Sequence, residues 1–211
     1  MKRTGSIQPP FVCGYPFFDS RNNKTYATVL IGTQCWFAEN LNIGARVNGS
    51  VDQANNSIIE KYCYGDNDAN CTTYGGLYQW DEMMQYSTDP GVKGICPSGW
   101  HLPADAEWTT LTTCLEGISV AGGKMKEAGT THWTTPNEGA TNSSGFTGLP
   151  GGKHGYVDAS FSELSNDGNW WSSTSASTPH AWLRSMSYNT AEVIRSNDAK
   201  GDGYSVRCLR N

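Results

Sequence analysis

The sequence has few charged residues and no hydrophobic run long enough to cross a membrane. Charged side chains make up 17% of its 211 residues, and its net charge is −5 at pH 7. An acidic chain lacks the basic surface that contacts nucleic-acid phosphates, which excludes that class of partner. A membrane-spanning helix needs about 20 consecutive apolar residues, so membrane insertion is not predicted either.

Motifs that carry catalysis are also missing. The chain contains no G-x-S-x-G nucleophile elbow, no HExxH pair and no glycine motif that cradles phosphate. Four histidines are present, and His101 is predicted to be a hydrogen-bonded structural group. Glu107 is read as a partner of a helix terminus instead of a general acid. The sequence therefore predicts a protein that is not an enzyme and has no organic cofactor.

An export signal is not visible in this chain. Residues 1–12 include two basic side chains and a Pro-Pro pair, without the apolar segment of a signal peptide. We interpret them as a flexible N-terminal arm in front of a single domain at 13–211. The chain is then a mature or recombinant form, or it is exported by another route.

Seven cysteines are many for a reducing compartment, and none of their spacings is that of a zinc site. Disulfides, and with them an exported protein, are the better interpretation. Sequence alone does not fix which cysteines pair. The pairs that we predict are Cys13–Cys35, Cys63–Cys71 and Cys96–Cys208. Cys114 is left as a free thiol, which we expect in the core as a small hydrophobic side chain.

One short loop carries several oxygen ligands of the kind that calcium prefers. Asp66, Asp68 and Asn70 lie between Cys63 and Cys71, but the glycine and the distal glutamate of an EF-hand are missing. A solvated polar turn is the alternative, because Asp and Asn are common in turns. Calcium is therefore the one cofactor for which a candidate site exists.

Periodic patterns predict helices first and strands later. Apolar residues at helical spacing predict one helix around Trp108–Leu115 and another over Gly75–Gln85, and Ala121–Glu127 is predicted as a helical turn. Thr25–Ile31 is predicted as a strand, followed by a turn and a second strand. After a long loop at 132–152, short strands are predicted over 169–174, 180–188, 191–197 and 203–209. This order is typical of an α+β domain.

The same segments carry a family resemblance. They run in order over nearly the whole chain: IGTQCWFAENL (31–41), YGGLYQWDEMM (74–84), GICPSGWHLPADAEW (94–108), AGGKMKEAGTTHW (121–133), PNEGATNSSGFTGLPGG (136–152), WSST (171–174) and GYSVRCL (203–209). Together they resemble the Fibrobacter succinogenes major paralogous domain. The chain departs from that family at Ala104, where threonine is usual, and at Cys114, where an aromatic residue is common.

The resemblance implies a C-type-lectin-like fold: two helices and a twisted antiparallel sheet with a long loop region, here stapled by disulfides. It also implies a secreted or surface location, often as the terminal module of an adhesin or pilus-like protein. In some members of this fold group, the C-terminal region is the target of a diversity-generating retroelement. The Asn- and Ser-rich stretch between Asn166 and Asn197 has a suitable composition.

The C-terminal half contains the best candidate contact residues. Trp, Tyr and Arg form binding hot spots, while Asn and Ser supply adaptable hydrogen bonds. We predict Trp170 to be exposed because Trp171, its neighbour along a strand, belongs to the WSST motif and is expected in the core. The predicted ligand-binding residues are Asn169, Trp170, His180, Trp182, Arg184, Tyr188, Asn189, Arg195 and Asn197.

These observations predict a non-catalytic extracellular domain that binds a protein or glycan of a host or bacterial surface. Two alternatives remain open. The domain is a structural subunit that assembles with itself or attaches to a larger surface filament or pilus, or it is an enzyme on a fold like that of the sulfatase-activating proteins. The second alternative is disfavoured because the reactive cysteine pair that those enzymes use is not identified among the cysteines of this sequence.

Overall fold

The structure is a computed structural model that describes residues 11–211, and it is an α+β architecture with three disulfides. The helices are α1 (Asp68–Tyr74), α2 (Trp80–Met83), α3 (Asp105–Cys114) and α4 (Ile118–Met125). The strands are β1 (Phe17–Asp19), β2 (Lys24–Tyr26), β3 (Thr28–Ile31), β4 (Gln34–Phe37), β5 (Ala45–Arg46), β6 (Glu60–Lys61), β7 (Trp100–His101), β8 (Gly151–His154), β9 (Phe161–Leu164), β10 (Asp167–Ser175), β11 (His180–Ser187), β12 (Ile194–Ala199) and β13 (Leu209–Arg210).

Two sheets organise the domain. The strands of the larger sheet follow the order β12-β11-β10-β8-β9, and those of the second follow β3-β4-β13-β7. Strands β8 and β10 pair in parallel, so the larger sheet is mixed and not wholly antiparallel as expected, and the described residues form four helices instead of the expected two. In the second sheet, Leu209 pairs with both Trp36 and His101, so the C-terminal strand lies between strands from the first half of the chain. Gly32, with a φ of 60°, makes the two-residue turn of the β3-β4 hairpin.

Two aromatic cores pack on the two faces of β10. Trp171 belongs to the core that contains Trp100 and Tyr204, whereas Trp170 belongs to the core around Trp36 and Trp108. The two side chains do point to opposite faces of the strand, as expected for neighbours. Each face is covered, however, so the prediction that Trp170 is exposed was wrong.

Several secondary-structure elements were predicted correctly from local sequence patterns. Helix α3, the β3-β4 hairpin and strands β10, β11 and β12 are confirmed, and the helical turn predicted over Ala121–Glu127 corresponds to α4. The strand predicted over 203–209 is not continuous, because Leu209 alone lies in a strand, β13, while residues 203–205 make isolated bridges. The predicted helix Gly75–Gln85 is shortened to α2. Gly75, with a φ of 85°, ends α1, and Leu77 and Tyr78 then form isolated bridges with Tyr62 and Tyr204. Helix α1 itself was missed because its sequence, DANCTTY, is polar.

The three predicted disulfides, Cys13–Cys35, Cys63–Cys71 and Cys96–Cys208, are confirmed. Cys114 is a free thiol, as predicted, but it is exposed. It ends α3 on the side away from the buried stripe of Trp108, Leu111 and Thr112. The expectation that it lies in the core was therefore wrong.

The predicted N-terminal arm lies mostly outside the described residues, which begin at Phe11. Phe11 packs against the first aromatic core, with its ring centroid 5.5 Å from that of Trp100. Within residues 11–211, no helix combines the length and apolar character that crossing a membrane requires.

Candidate functional site

The start of helix α3 is tied to the middle of the C-terminal sheet. Thr174 Oγ1 accepts a hydrogen bond from Asp105 N at 3.0 Å, and Ser173 Oγ donates to Leu102 O at 3.0 Å. Glu107 accepts from Ala104 N at 2.8 Å, which caps the first turn. The WHLP and WSST motifs therefore fix α3 against β10 and make the C-terminal sheet a rigid support.

On the α3 side of this sheet, Asp105 forms ion pairs with two arginines. Arg184 Nη1 lies 2.7 Å from Asp105 Oδ1, and Arg195 Nη2 lies 2.9 Å from Oδ2. Burial alone would raise the pKa of the Asp105 carboxyl, but hydrogen bonds from Arg195 and Arg184 hold it below its ordinary value. Arg195 also stacks on Trp182, with its guanidinium carbon 3.4 Å from the ring centroid.

The opposite face of the same sheet contains an open groove of about 260 Å³. Every strand of the five contributes to it, and most of the contributing side chains are polar. We call it the sheet groove, and its lining residues are Lys153, Glu163, Asp167, Asn169, Leu183, Ser185, Ile194, Ser196, Asp198 and Tyr204.

Three carboxylates and one ammonium make the sheet groove acidic. Lys153 Nζ lies 2.9 Å from Glu163 Oε1, and Tyr204 donates its hydroxyl to Asp198 Oδ2 at 2.8 Å. Burial raises the pKa of Asp167, and the charge of Glu163 raises it further. Burial lowers the pKa of Lys153, but the hydrogen bond to Glu163 and the charge of Glu163 outweigh burial, so the pKa is raised overall. The groove can thus donate and accept hydrogen bonds at fixed positions.

The residues predicted to bind ligand do not form one surface. Asn169 lines the sheet groove, where its Nδ2 donates to Glu163 Oε2 at 3.1 Å. Trp182 and Asn197 are paired across β11 and β12 next to Arg195, so these three form a patch on the α3 side. We call Trp182, Arg195 and Asn197 the Trp–Arg patch.

Two of the predicted contact residues are structural. Trp170 is fully buried, and its Nε1 donates to Asn40 Oδ1 at 2.8 Å. Arg184 is 1% exposed and is neutralised by Asp105, so it was wrongly predicted as a surface contact.

The remaining candidates lie near the ends of β11. His180 begins the strand, and Tyr188 and Asn189 follow it. None of the three lines the sheet groove, and their role in binding stays a prediction.

The acidic groove residues were missed for a reason that the fold makes clear. Lys153 and Glu163 come from two short strands inside a glycine- and serine-rich stretch, which gave no strand signal. Asp167 and Asp198 lie just outside the predicted strands 169–174 and 191–197, although alternation continued back along β10 would have placed Asp167 on the same face as Asn169. Which face is open depends on the packing of α3, which the sequence does not show.

The predicted calcium ligands have other partners. Arg46 Nε lies 2.8 Å from Asp68 Oδ1, and Asp66 Oδ1 accepts a hydrogen bond from Gly49 N. Asn70 donates its amide to Tyr64 O at 2.8 Å. Within the part of the chain that is described, no group of three or more His, Cys, Asp or Glu side chains is arranged to hold a metal ion.

His101 has the structural role that the sequence predicted. Its Nε2 lies 2.9 Å from Glu107 Oε1, and its Nδ1 lies 2.8 Å from Asn211 Oδ1. The hydrogen bond to Glu107 raises the pKa of His101, although burial opposes this. The pair ties β7 to the first turn of α3 and to the C-terminus.

Comparisons with known proteins give one match. The family model described as the Fibrobacter succinogenes major domain matches residues 29–210. No curated protein and no solved structure shows a significant match to the chain.

Proposed function

The chain belongs to the Fibrobacter succinogenes major domain family, and from this premise we propose that it is a non-catalytic extracellular binding domain. We propose further that its fold is C-type-lectin-like and that it recognises a protein or glycan of a cell surface through its C-terminal half. Three disulfides support an oxidising, extracellular location. The pairing of the C-terminal strand with strands from the first half supports the proposed fold.

The sheet groove is the observation that carries this proposal. Polar side chains from five strands meet there, on a sheet whose other face is fixed to α3. A rigid support lowers the entropy lost on binding, because few side chains must be ordered by the ligand. Leu183 and Ile194 add apolar area beside the polar groups, as in many ligand sites.

An array experiment with a groove-filling variant tests the proposal. The oxidised domain is applied to glycan and surface-protein arrays, alongside Ser185→Trp, which fills the centre of the sheet groove, and Ser177→Trp, which lies in the loop after β10. We expect capture by the unchanged domain and by Ser177→Trp, and loss of capture by Ser185→Trp. Equal capture by all three proteins would refute the groove as the binding site.

Calcium is tested in the same experiment. Arg46 already neutralises Asp68, so we expect a chelator to leave the capture unchanged. Capture that disappears with chelator would instead assign the binding to a metal-dependent site.

Diversification of the C-terminal half is a separate proposal. Asn189, Arg195 and Asn197 are exposed, whereas Trp170 and Trp171 are buried in the two cores. Such an arrangement tolerates changes at the surface positions without loss of the core. The test is the sequence of the neighbouring DNA. An imperfect repeat that differs only at adenines would support a retroelement target, and the absence of such a repeat would refute this proposal.

A structural subunit of a filament is the second candidate. Tyr15, Phe18 and Leu30 are more than half exposed, and Leu30 lies on β3, an edge strand of its sheet. This candidate predicts concentration-dependent assembly in light scattering, which Leu30→Lys would suppress. A monodisperse monomer at high concentration would exclude it.

A further inference from the structure

A second cavity lies away from the sheet groove, between α2, the loop around Asp52 and the end of β12. Its volume is about 260 Å³, and we call it the tyrosine pocket. The residues that define it are Asp52, Gln79, Asp81, Tyr86, Tyr156 and Lys200. Drug-sized ligands occupy sites of roughly 300–1,000 Å³, so a small occupant fits this one better.

Two tyrosines at this pocket are exposed yet held in place. Tyr156 is 51% exposed, and its ring packs so closely on Gly201 that a Cβ there would lie 2.9 Å from it. The Tyr156 N–H donates to Asp202 Oδ1 at 3.0 Å. Tyr86 donates its hydroxyl to the buried Glu82 at 2.9 Å. Exposed aromatic side chains that are held in one position, as these two are, are typical of residues that contact a ligand.

The inner wall of the pocket is a rigid amide pair. The Gln53 backbone N–H donates to Gln79 Oε1, and the Gln79 backbone N–H donates to Gln53 Oε1, both at 2.9 Å. Gln79 Nε2 then donates to Asp52 Oδ1 at 3.0 Å and to Gly201 O at 2.8 Å. The Asp52 carboxylate is thereby oriented at the edge of the pocket.

Several polar side chains of the pocket have no hydrogen-bond partner among the described residues. Among residues 11–211, the Asp81 carboxylate, the Tyr156 hydroxyl and the Lys200 ammonium make no hydrogen bond or ion pair within the protein. Lys200 Nζ instead lies 4.1 Å from the centroid of the Trp80 ring. The pocket therefore has free donors and free acceptors together.

We propose that the tyrosine pocket binds one ring of a neutral saccharide. A sugar ring has hydroxyl groups that both donate and accept, which matches the donors of Lys200 and Tyr156 and the acceptors of Asp52 and Asp81. Its C–H face suits the amphipathic surface of a tyrosine ring. An anion is repelled by the carboxylates of the pocket, and a cation is repelled by the Lys200 ammonium.

The proposal is independent of the sheet groove, because the two sites share no lining residue. Ligand-observed NMR with neutral mono- and disaccharides, choline and an acidic sugar tests it on the oxidised domain. We expect at least one neutral saccharide to bind with a Kd on the order of 1 mM. Tyr156→Ala should weaken that binding roughly threefold to tenfold, as expected for loss of an aromatic contact.

Three further variants make the result specific. Gly201→Ala displaces the Tyr156 ring without changing charge and should also weaken binding, whereas Tyr15→Ala removes an exposed tyrosine elsewhere and should not. Ser185→Trp blocks the sheet groove and should leave saccharide binding unchanged. Binding of choline alone, no saccharide binding, or full binding by Tyr156→Ala would each overturn the proposal.

Discussion

Arg207 is a fully buried cation whose partners are neutral oxygens. Its guanidinium donates to Asn40 Oδ1 at 2.7 Å and to the backbone carbonyls of Phe37, Phe146 and Thr147 at 2.7–2.9 Å. Burial lowers its pKa to about 9, so it remains charged at neutral pH. One side chain therefore joins the C-terminal segment to β4 and to the long loop, which explains why an arginine stands in the VRC motif.

Removing this cation should strongly destabilise the domain. Arg207→Met removes the donors to three backbone carbonyls and leaves Asn40 Oδ1 with Trp170 Nε1 alone, and we expect it to lower the free energy of unfolding by about 3 kcal/mol or more. Arg46→Met removes an arginine that is 35% exposed and should cost at most about 1 kcal/mol. Denaturant unfolding of both variants is the measurement. Similar small losses would contradict the role given to Arg207.

The His101–Glu107 pair gives a prediction about pH. The pKa of His101 is raised above 6.5, so its contribution to stability is complete below that pH and is lost as the pH rises through the folded pKa. The pKa of Glu107 is lowered from 4.5 because its bonds to His101 and Ala104 outweigh burial, so its contribution is complete above pH 4.5 and is lost as the pH falls through the folded pKa. Both groups therefore contribute fully between pH 4.5 and 6.5.

Glu107→Gln should reveal this window. The difference in unfolding free energy from the unchanged domain should be about 0.5–1 kcal/mol between pH 4.5 and 6.5 and should shrink at higher pH. Glu116→Gln, which alters an ion pair with 77% exposure of the carboxylate, should show no such dependence between pH 5 and 8. A constant difference for Glu107→Gln across this range would contradict the assigned ion pair.

At the scale of elements, helix α3 holds the C-terminal sheet, yet its N-cap is incomplete. Ala104 has extended dihedrals, φ −73° and ψ 162°, that suit an N-cap, but its side chain cannot accept a hydrogen bond. We expect Ala104→Ser to raise the free energy of unfolding by about 1 kcal/mol. Ala106→Ser, inside the same helix, should lower it slightly because serine is a poorer helix former. Thermal unfolding that ranks the two variants in the opposite order would contradict this.

Elements with local signals could be predicted from the sequence, whereas surfaces made by several elements could not. The β3-β4 hairpin is set by Gly32, and α3 by the spacing of Trp108 and Leu111, so both were predicted. The environment of Trp170 depends on the packing of α3 and β4 against β10, which no local pattern encodes. All three residues of the Trp–Arg patch were among the predicted contact residues, whereas Asn169 alone was predicted of the sheet groove, whose acidic side is assembled from several strands.

At the scale of the whole molecule, the disulfides differ in the length of chain that they close. Cys96–Cys208 spans 112 residues, whereas Cys63–Cys71 spans 8. In the chain-entropy model these loops correspond to about 4–5 and about 2–3 kcal/mol. Replacing Cys96 and Cys208 by alanine should therefore lower the unfolding free energy more than the same change at Cys63 and Cys71. All four cysteines are buried, so the two double variants are matched. Equal losses in denaturant unfolding would count against the closing role of Cys96–Cys208.

The central claim is that this domain binds its ligand in the sheet groove. Backbone amide chemical-shift mapping on the oxidised domain, with the ligand captured on the arrays, tests this claim most directly. We predict that the largest shifts fall at Asn169, Ser185 and Ser196, with little change at Leu30 on β3. Shifts that cluster on β3, or in the Trp–Arg patch without the groove, would contradict the claim.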